Sequence, residues 1–410
     1  MKKKLLFVNE SLALAGGEKS LIALLSCLNP DLYEIDLQLF RYGGELDGLV
    51  PDFVNILPPL PYAEFVSKTW KQQLFSIFKR KNASYLKARL KYSFSLRKGQ
   101  FNHPEKAQLY WEATQNAIDA SSKKYDIAIA YAQVIPTFYV MDKVAAKQKI
   151  AGINAKPNFP EKNLQFQLKY YRKYDFIIPV SDITYQQCAA LMPELVPKMH
   201  ILYDIVDYKS ILKMADLFLP PFKNSTFNIL TVARLNLRSK RYDITLEACK
   251  ILKEKGRDFH WYALGEGDYR PEMEEYIQKH GLGDCFTLLG TDANPYPYFK
   301  AADLYVQTSQ YESYGISIAE ARMLNLPIVT TKFDTVELQI RDRKNGLITD
   351  LDPEKVADAI VTLMDNKELY DSMVYNLKNE EKENQDTIKY FEKLIFEDKV
   401  QSEMHGNDNF

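Results

Sequence analysis

The sequence predicts an α/β protein made of two parallel-sheet domains in tandem, joined by a hinge. Three observations predict this. Short apolar runs alternate with longer helical patterns along the chain, as stacked βαβ layers require. The alternation lapses once, near the middle, and then begins again. The length, 410 residues, exceeds one ordinary domain and suits two or three.

In chain order, Leu5–Val8 is the first expected strand, followed by a loop with Gly16-Gly17 and a helix from about Glu18 to Leu28. Ile35–Phe40, Ile127–Tyr131, Lys149–Ile153 and Phe176–Val180 are further strands, each with helical material after it. Around Asp204–Asn224 the pattern gives way to a connector containing Pro220-Pro221. The second series runs Phe227–Val232, a helix Tyr242–Lys255, the strand Phe259–Leu264 and a helix Pro271–Lys279. It continues with Phe286–Leu289, Leu304–Val306, a helix from about Ser317 to Leu324 and the strand Pro327–Thr330. Two Rossmann-like halves follow, with expected limits 1–206 and 207–380. Residues 381–410 are read as a helix and tail crossing back to the first half, the last stretch polar and frayed. Ligands of such sheets bind beyond the carboxyl ends of the strands, so the interdomain cleft is the expected site.

Composition narrows the class. Hydrophobic residues are 46% and charged residues 26%, as in globular proteins. A net charge of −1 disfavours a general nucleic-acid binder. Cys27, Cys188, Cys249 and Cys285 show no metal-ligand spacing and are read as reduced thiols. The apolar run after the basic Met1–Lys4 is too short for a signal peptide. No run approaches the ~18 apolar residues of a membrane span, so a soluble or peripheral protein is expected.

Three features of the second half converge on a diphosphate. Arg234 ends a strand and Lys240 follows six residues later, just before a helix. Two cations there can bind a nucleotide diphosphate and neutralise the charge of its departure; a merely solvated basic loop, with Arg238 and Arg241, is the alternative. Leu264-Gly265-Glu266-Gly267 follows a strand, and its glycines permit close backbone approach to a ligand or form an ordinary tight turn. Glu312 and Glu320 stand eight residues apart around Ser313-Tyr314-Gly315-Ile316. The helix start at Gly315 is an anion site; Glu320 can reach a ribose diol, and Glu312 the hydroxyls of a donor sugar.

The run from Ile229 to Thr331 resembles the donor-binding half of family 4 retaining glycosyltransferases, of the kind that build bacterial capsules and exopolysaccharides. The matching residues are Val232-Ala233-Arg234-Leu235, Lys240, Leu264-Gly265-Glu266-Gly267, Leu289-Gly290, Asn294-Pro295-Tyr296, Ala302-Asp303, Glu312 to Glu320 and Pro327-Ile328-Val329. The resemblance implies the GT-B fold of two Rossmann-like domains facing across a cleft. It implies Arg234 and Lys240 on the diphosphate, Glu312 on the sugar and Glu320 on the ribose. It also implies retention of anomeric configuration, a UDP- or GDP-sugar donor, and no cofactor or metal. Asp350-Leu351-Asp352 is accordingly read as a helix cap and not as a metal site.

In the first half, Gly16-Gly17 matches the family's glycine-containing first loop, which lets backbone approach donor and acceptor; a plain tight turn is the alternative. Two positions depart from the family. Asn154 stands near where a histidine is expected, and Gln133 where a glutamate is expected. Both are candidates for sugar or acceptor contact, and Asn154 hydrogen-bonds a hydroxyl without carrying charge. None of the five histidines lies at an obvious site position, and no Ser-His-Asp or Cys-His order is visible.

An insertion at about 65–103 is basic and aromatic. From Phe65 to Gln100 there are ten cations, seven aromatics and no acidic residue. Trp70, Leu74, Ile77 and Phe78 fall at helical spacing, as do Tyr85, Ala88 and Tyr92. This is the pattern of amphipathic helices on an anionic membrane. A helical insertion whose aromatics pack on the core is the alternative; an RNA-binding face has no motif to support it. A lipid-linked acceptor, such as a polyprenyl-diphosphate sugar, suits a peripheral enzyme at the inner face of the cell membrane. The expected partners are therefore a nucleoside-diphosphate sugar, a glycan or polyprenyl-linked acceptor and an anionic membrane, without nucleic acid. A sugar-nucleotide epimerase and a non-catalytic sugar-nucleotide or lipid-binding protein remain as other readings; a phosphorylase would need a longer chain.

Overall fold

The computed structural model describes residues 2–75, 80–223, 225–382 and 385–396. The chain divides into two compact units, Met1–Ile205 with Gln385–Phe410, and Val206–Asn384.

The first unit carries a six-stranded parallel sheet of β1 (Lys3–Asn9), β2 (Tyr33–Leu39), β3 (Val54–Ile56), β4 (Lys124–Ala130), β5 (Ala145–Ile153) and β6 (Phe176–Pro179), in the order β3-β2-β1-β4-β5-β6. Alternate residues of β1 face opposite layers. Leu5 and Phe7 join a core with Leu21 and Leu25 of helix Gly16–Cys27, whereas Leu6 and Val8 join a core with Trp111 and Phe138. Both faces of the sheet are thus covered, which is why its central strands read as unbroken apolar runs.

The second unit repeats the plan with β7 (Phe227–Val232), β8 (Phe259–Leu264), β9 (Phe286–Gly290), β10 (Leu304–Gln307), β11 (Ile328–Thr331) and β12 (Gly346–Thr349). Their order is β12-β11-β10-β7-β8-β9. In each sheet the first and fourth strands are neighbours at the centre, and the order reverses between them. That is the doubly wound Rossmann topology, whose crevice lies beyond the carboxyl ends of those two strands.

Several expectations need correction. The helix of the first loop opens at Gly16, so Gly16-Gly17 form its first turn instead of preceding it. The edge strands β3 and β12 were not expected, because three or four residues at a sheet edge carry no readable periodicity. The polar end of the chain is not all frayed: helix Gln385–Phe396 buries Phe391, Leu394 and Ile395 in the layer that holds Phe7. Those three positions have i, i+3, i+4 spacing, and the helix expected within 381–410 thus extends into the stretch read as frayed. Residues 397–410 lie outside the described residues. The four cysteines are free, yet Cys249 and Cys285 meet in the core with sulfurs 3.9 Å apart.

Candidate functional site

In the second unit, the loops after β7 and β10 leave the sheet on either side of the point where strand order reverses. They are stitched together. The Thr308 hydroxyl donates to the Lys240 carbonyl at 2.9 Å, and the Gln310 N–H donates to the Ser239 carbonyl at 2.9 Å. The turn that presents Lys240 is built locally. Asn236 caps the short helix Leu237–Lys240 by accepting from the Ser239 N–H at 3.0 Å. Arg241 then takes a left-handed conformation (φ +50°) and pairs with Asp243 at 2.8 Å.

The outcome is one compact cluster. Lys240 Nζ donates to Glu312 Oε1 at 2.5 Å, and the same oxygen accepts from Ser309 Oγ at 2.6 Å and from Gln307 Nε2. Lys240 and Glu312 are 22% and 11% exposed, so the pair is largely withdrawn from water. Such a pair persists only when further hydrogen bonds satisfy the charges, which Ser309 and Gln307 supply. Arg234, two residues beyond the end of β7, is exposed and has no side-chain partner among the described residues. Lys240 and Glu312 are therefore brought together, with Arg234 on the loop that precedes Lys240. Gln307 and Ser309 were missed, since one polar residue at a strand end has no sequence signature.

Gly265 has a packing role. A Cβ there would stand 2.0 Å from the Ala233 carbonyl oxygen, and one at Gly267 would stand 2.1 Å from that of Leu235. The Ala233 N–H donates to Leu264 at 3.1 Å and the Leu235 N–H to Glu266 at 3.0 Å. Only glycine lets these two segments pair so closely, and the pairing fixes the backbone around Arg234.

Gly315 has φ +85° and immediately precedes helix Ile316–Met323. Ser313 and Tyr314 are half-buried, and the Ile316 side chain is buried. The first N–H groups of such a helix lack intrahelical acceptors and suit an anion. Glu320 is 1% exposed, and its Oε1 accepts from the Tyr296 hydroxyl at 3.1 Å. A carboxylate has about four acceptor sites, so the Tyr296 hydroxyl leaves capacity for a diol. Asp352 accepts from the Lys355 N–H at 3.0 Å, capping helix Pro353–Asp365.

In the first unit, Gly17 and Asn154 are neighbours: a Cβ on Gly17 would lie 3.3 Å from Asn154 Nδ2. Gln133 is half-buried in the turn after β4, beside Val134, whose φ of +63° is rare for a β-branched residue. Asn154 also lines a cavity of about 20 Å³, room for about one water, with Ser20, Tyr131 and Asp204 among its other walls. The Tyr131 hydroxyl and the Ile205 N–H donate to Ser20 Oγ at 2.9 and 3.0 Å. Asp204 is 7% exposed, and burial pushes its carboxyl up to about 7. No sequence pattern marks Asp204, because its burial arises from elements far apart in the chain.

The insertion divides its aromatics. Phe65 and Tyr85 are core residues, and Tyr92 packs edge-on against Tyr110. Those aromatics are structural, as the alternative reading of a helical insertion packed on the core expects of them. Trp70, Phe75 and Phe94 are 49%, 81% and 59% exposed, with the Arg89 guanidinium 4.2 Å above the Trp70 ring. Ile77, Phe78 and Lys79 lie outside the described residues, as does the Leu74 side chain. Among the described residues no helix is long and apolar enough to cross a membrane.

Residues 212–380 match the family described as glycosyl transferases group 1. The alpha-D-kanosaminyltransferase of Streptomyces kanamyceticus is 30% identical over 151 residues, 36% of this chain and 39% of the relative. The poly(ribitol-phosphate) alpha-N-acetylglucosaminyltransferase of Staphylococcus aureus is 30% identical over 131 residues, 31% of this chain and 26% of the relative. The matched segments thus span two fifths or less of those relatives. Over almost the whole chain the fold is that of solved glycosyltransferase structures. Anabaena HepE in complex with UDP-glucose superposes with a TM-score of 0.66 at 16% identity, covering 96% of this chain and 99% of that one. TarM of S. aureus, in a complex containing UDP, gives 0.66 at 15% identity, covering 96% and 100%. The chain has the α/β GT-B fold of two Rossmann-like domains.

Proposed function

We propose that this protein is a retaining glycosyltransferase of family 4 that moves a sugar from a nucleoside-diphosphate sugar to a hydroxyl of a glycan or lipid-linked glycan. The observation that carries the reading is the Lys240–Glu312 pair, 2.5 Å apart in the crevice where the strand order of the second sheet reverses. Support comes also from the group 1 glycosyltransferase domain over 212–380, and from relatives named as glycosyltransferases.

In this mechanism the nucleotide is held by the second unit, its diphosphate against the helix start at Gly315, with Ser313, Tyr314 and the Ile316 N–H around it. Arg234 and Lys240 meet the charge that grows on the leaving diphosphate. Glu312 binds donor-sugar hydroxyls, and Glu320 the ribose diol. The acceptor oxygen bonds to the anomeric carbon as the bond to the diphosphate oxygen breaks on the same face. The acceptor proton passes to the departing phosphate oxygen, so no protein nucleophile takes part. The reading assigns the leaving charge to these cations and to the helix start, without a metal. Gly16 and Gly17 of the first unit are assigned to the donor phosphates and the acceptor, and Asn154 and Gln133 to the sugar or acceptor. The exposed Trp70, Phe75 and Phe94, among the cations of the insertion, are assigned to an anionic membrane at the inner face of the cell, in polysaccharide synthesis.

The test is binding and slow hydrolysis across UDP-, GDP- and ADP-sugars, with Lys240→Ala and Glu312→Ala beside the unaltered protein. One nucleotide sugar is expected to bind and to be lost in both variants. If none binds while the protein still partitions to anionic vesicles, the transferase reading fails and a lipid-binding protein replaces it.

A further inference from the structure

Beneath the loop 312–315 lies a buried polar network for which the proposed chemistry has no use. Thr335 Oγ1 donates to the Glu312 carbonyl at 3.0 Å, and Gln339 Nε2 donates to the Tyr314 carbonyl at 3.2 Å. Thr335 is 1% and Gln339 2% exposed. Gln339 is gripped from its other end, where Oε1 accepts from an Arg322 terminal nitrogen at 2.7 Å. The other donors of Arg322, Nε and its second terminal nitrogen, reach Glu380 Oε2 at 3.0 and 2.8 Å. Asn345 Nδ2 closes the ring, donating to Glu380 Oε1 at 2.7 Å and to the Gln339 carbonyl at 3.1 Å.

The placement is specific. Arg322 lies in the last turn of helix Ile316–Met323, the helix whose start follows Gly315. The network therefore holds both the loop that enters this helix and the turn that ends it. Carbonyls of exposed loops are ordinarily satisfied by water. Here the carbonyls of Glu312 and Tyr314, two residues apart, are satisfied by buried side chains whose own positions are over-determined. A site that binds an anion through backbone N–H groups gains from such preorganisation, because the loop then orders itself at no cost when the ligand arrives.

We propose that Gln339 is a positioning residue of the donor site: it keeps residues 312–316 in the anion-ready conformation, and Arg322 and Glu380 keep Gln339 in place. The inference rests on the reading of this loop as the diphosphate site. Gln339 itself touches no reacting atom; it acts through the Tyr314 carbonyl.

Two measurements on Gln339→Met, close in size but unable to make either hydrogen bond, test it. In the ligand-free protein, amide hydrogen exchange at residues 312–317 should quicken about tenfold, as loss of one buried hydrogen bond implies, with β7 and β10 unchanged. Affinity for UDP or GDP should fall by about the same factor, while affinity for uridine or guanosine stays as in the unaltered protein. Glu380→Gln, at the 22% exposed end of the network, should move both readings in the same direction by less, and it serves if Gln339→Met does not fold. Unchanged exchange in the loop overturns the proposal. So does equal weakening of nucleoside and nucleoside diphosphate, which marks general loosening. If the unaltered protein binds neither UDP nor GDP, the donor-site reading itself has failed and the proposal goes with it. That outcome is distinguishable because it appears before any substitution is made.

Discussion

Replacing Asp204 with asparagine should stabilise the first unit at pH 8 and much less at pH 5. Asp204 is buried at the end of that unit, beside Ser20 and Tyr131, and its carboxyl is raised from 3.8 to about 7. Burial is the largest cause; the Glu18 charge adds to it, and the hydrogen bond from Ser20 opposes it. A raised acid means that the fold prefers the protonated form. The stability that Asp204 contributes is therefore fully present below about pH 4, declines as the pH rises towards 7, and is lost above that. A shift of about three units corresponds to a ceiling of about 4 kcal/mol, at ~1.4 kcal/mol per unit. Asparagine keeps the shape and the hydrogen-bonding capacity towards Ser20 but cannot ionise, so the variant should escape this decline. Melting temperatures at pH 5, 6, 7 and 8 decide the matter. The gap in favour of Asp204→Asn should widen by several degrees, at about 2–4 °C per kcal/mol for a unit of this size. A gap that stays constant across the series would show that Asp204 is not ionising inside the fold, and the reasoning would be wrong.

Two further outcomes are expected. Gly265→Ala should cost at least about 2 kcal/mol in denaturant unfolding, because φ is +154° and the new Cβ would overlap the Ala233 carbonyl oxygen; a neutral substitution would mean that the two segments can separate freely. Phe75→Ser with Phe94→Ser should lower partitioning onto phosphatidylglycerol vesicles at least tenfold without shifting the melting temperature, since both rings are largely exposed; undiminished partitioning would assign those rings no membrane role.

The α/β class and most of the central strands were legible because a strand covered on both faces is a continuous apolar run, and chain order alone displays it. Leu5–Val8 and Phe259–Leu264 are visible for that reason. Lys240 and Glu312 could be nominated from their positions after such runs, by the rule that ligands bind beyond strand ends. Their direct pairing, between positions 72 apart in the chain, could not be read. Gln307, Gln339 and Asp204 could not be nominated at all: their importance lies in what surrounds them, and neighbours in space leave no local pattern. The glycines show the same division. Gly265 and Gly267 were visible as a turn, whereas the Ala233 and Leu235 carbonyls that exclude any side chain there come from another strand's loop. In the insertion, aromatic periodicity announced helices, and only packing separated Tyr85, which is core, from Phe75, which faces solvent. The sequence by itself determined the periodic elements, since local backbone geometry imposes those periods. The tertiary structure alone decided burial, hydrogen-bond partners and the Asp204 carboxyl, since desolvation and distance are properties of the folded chain.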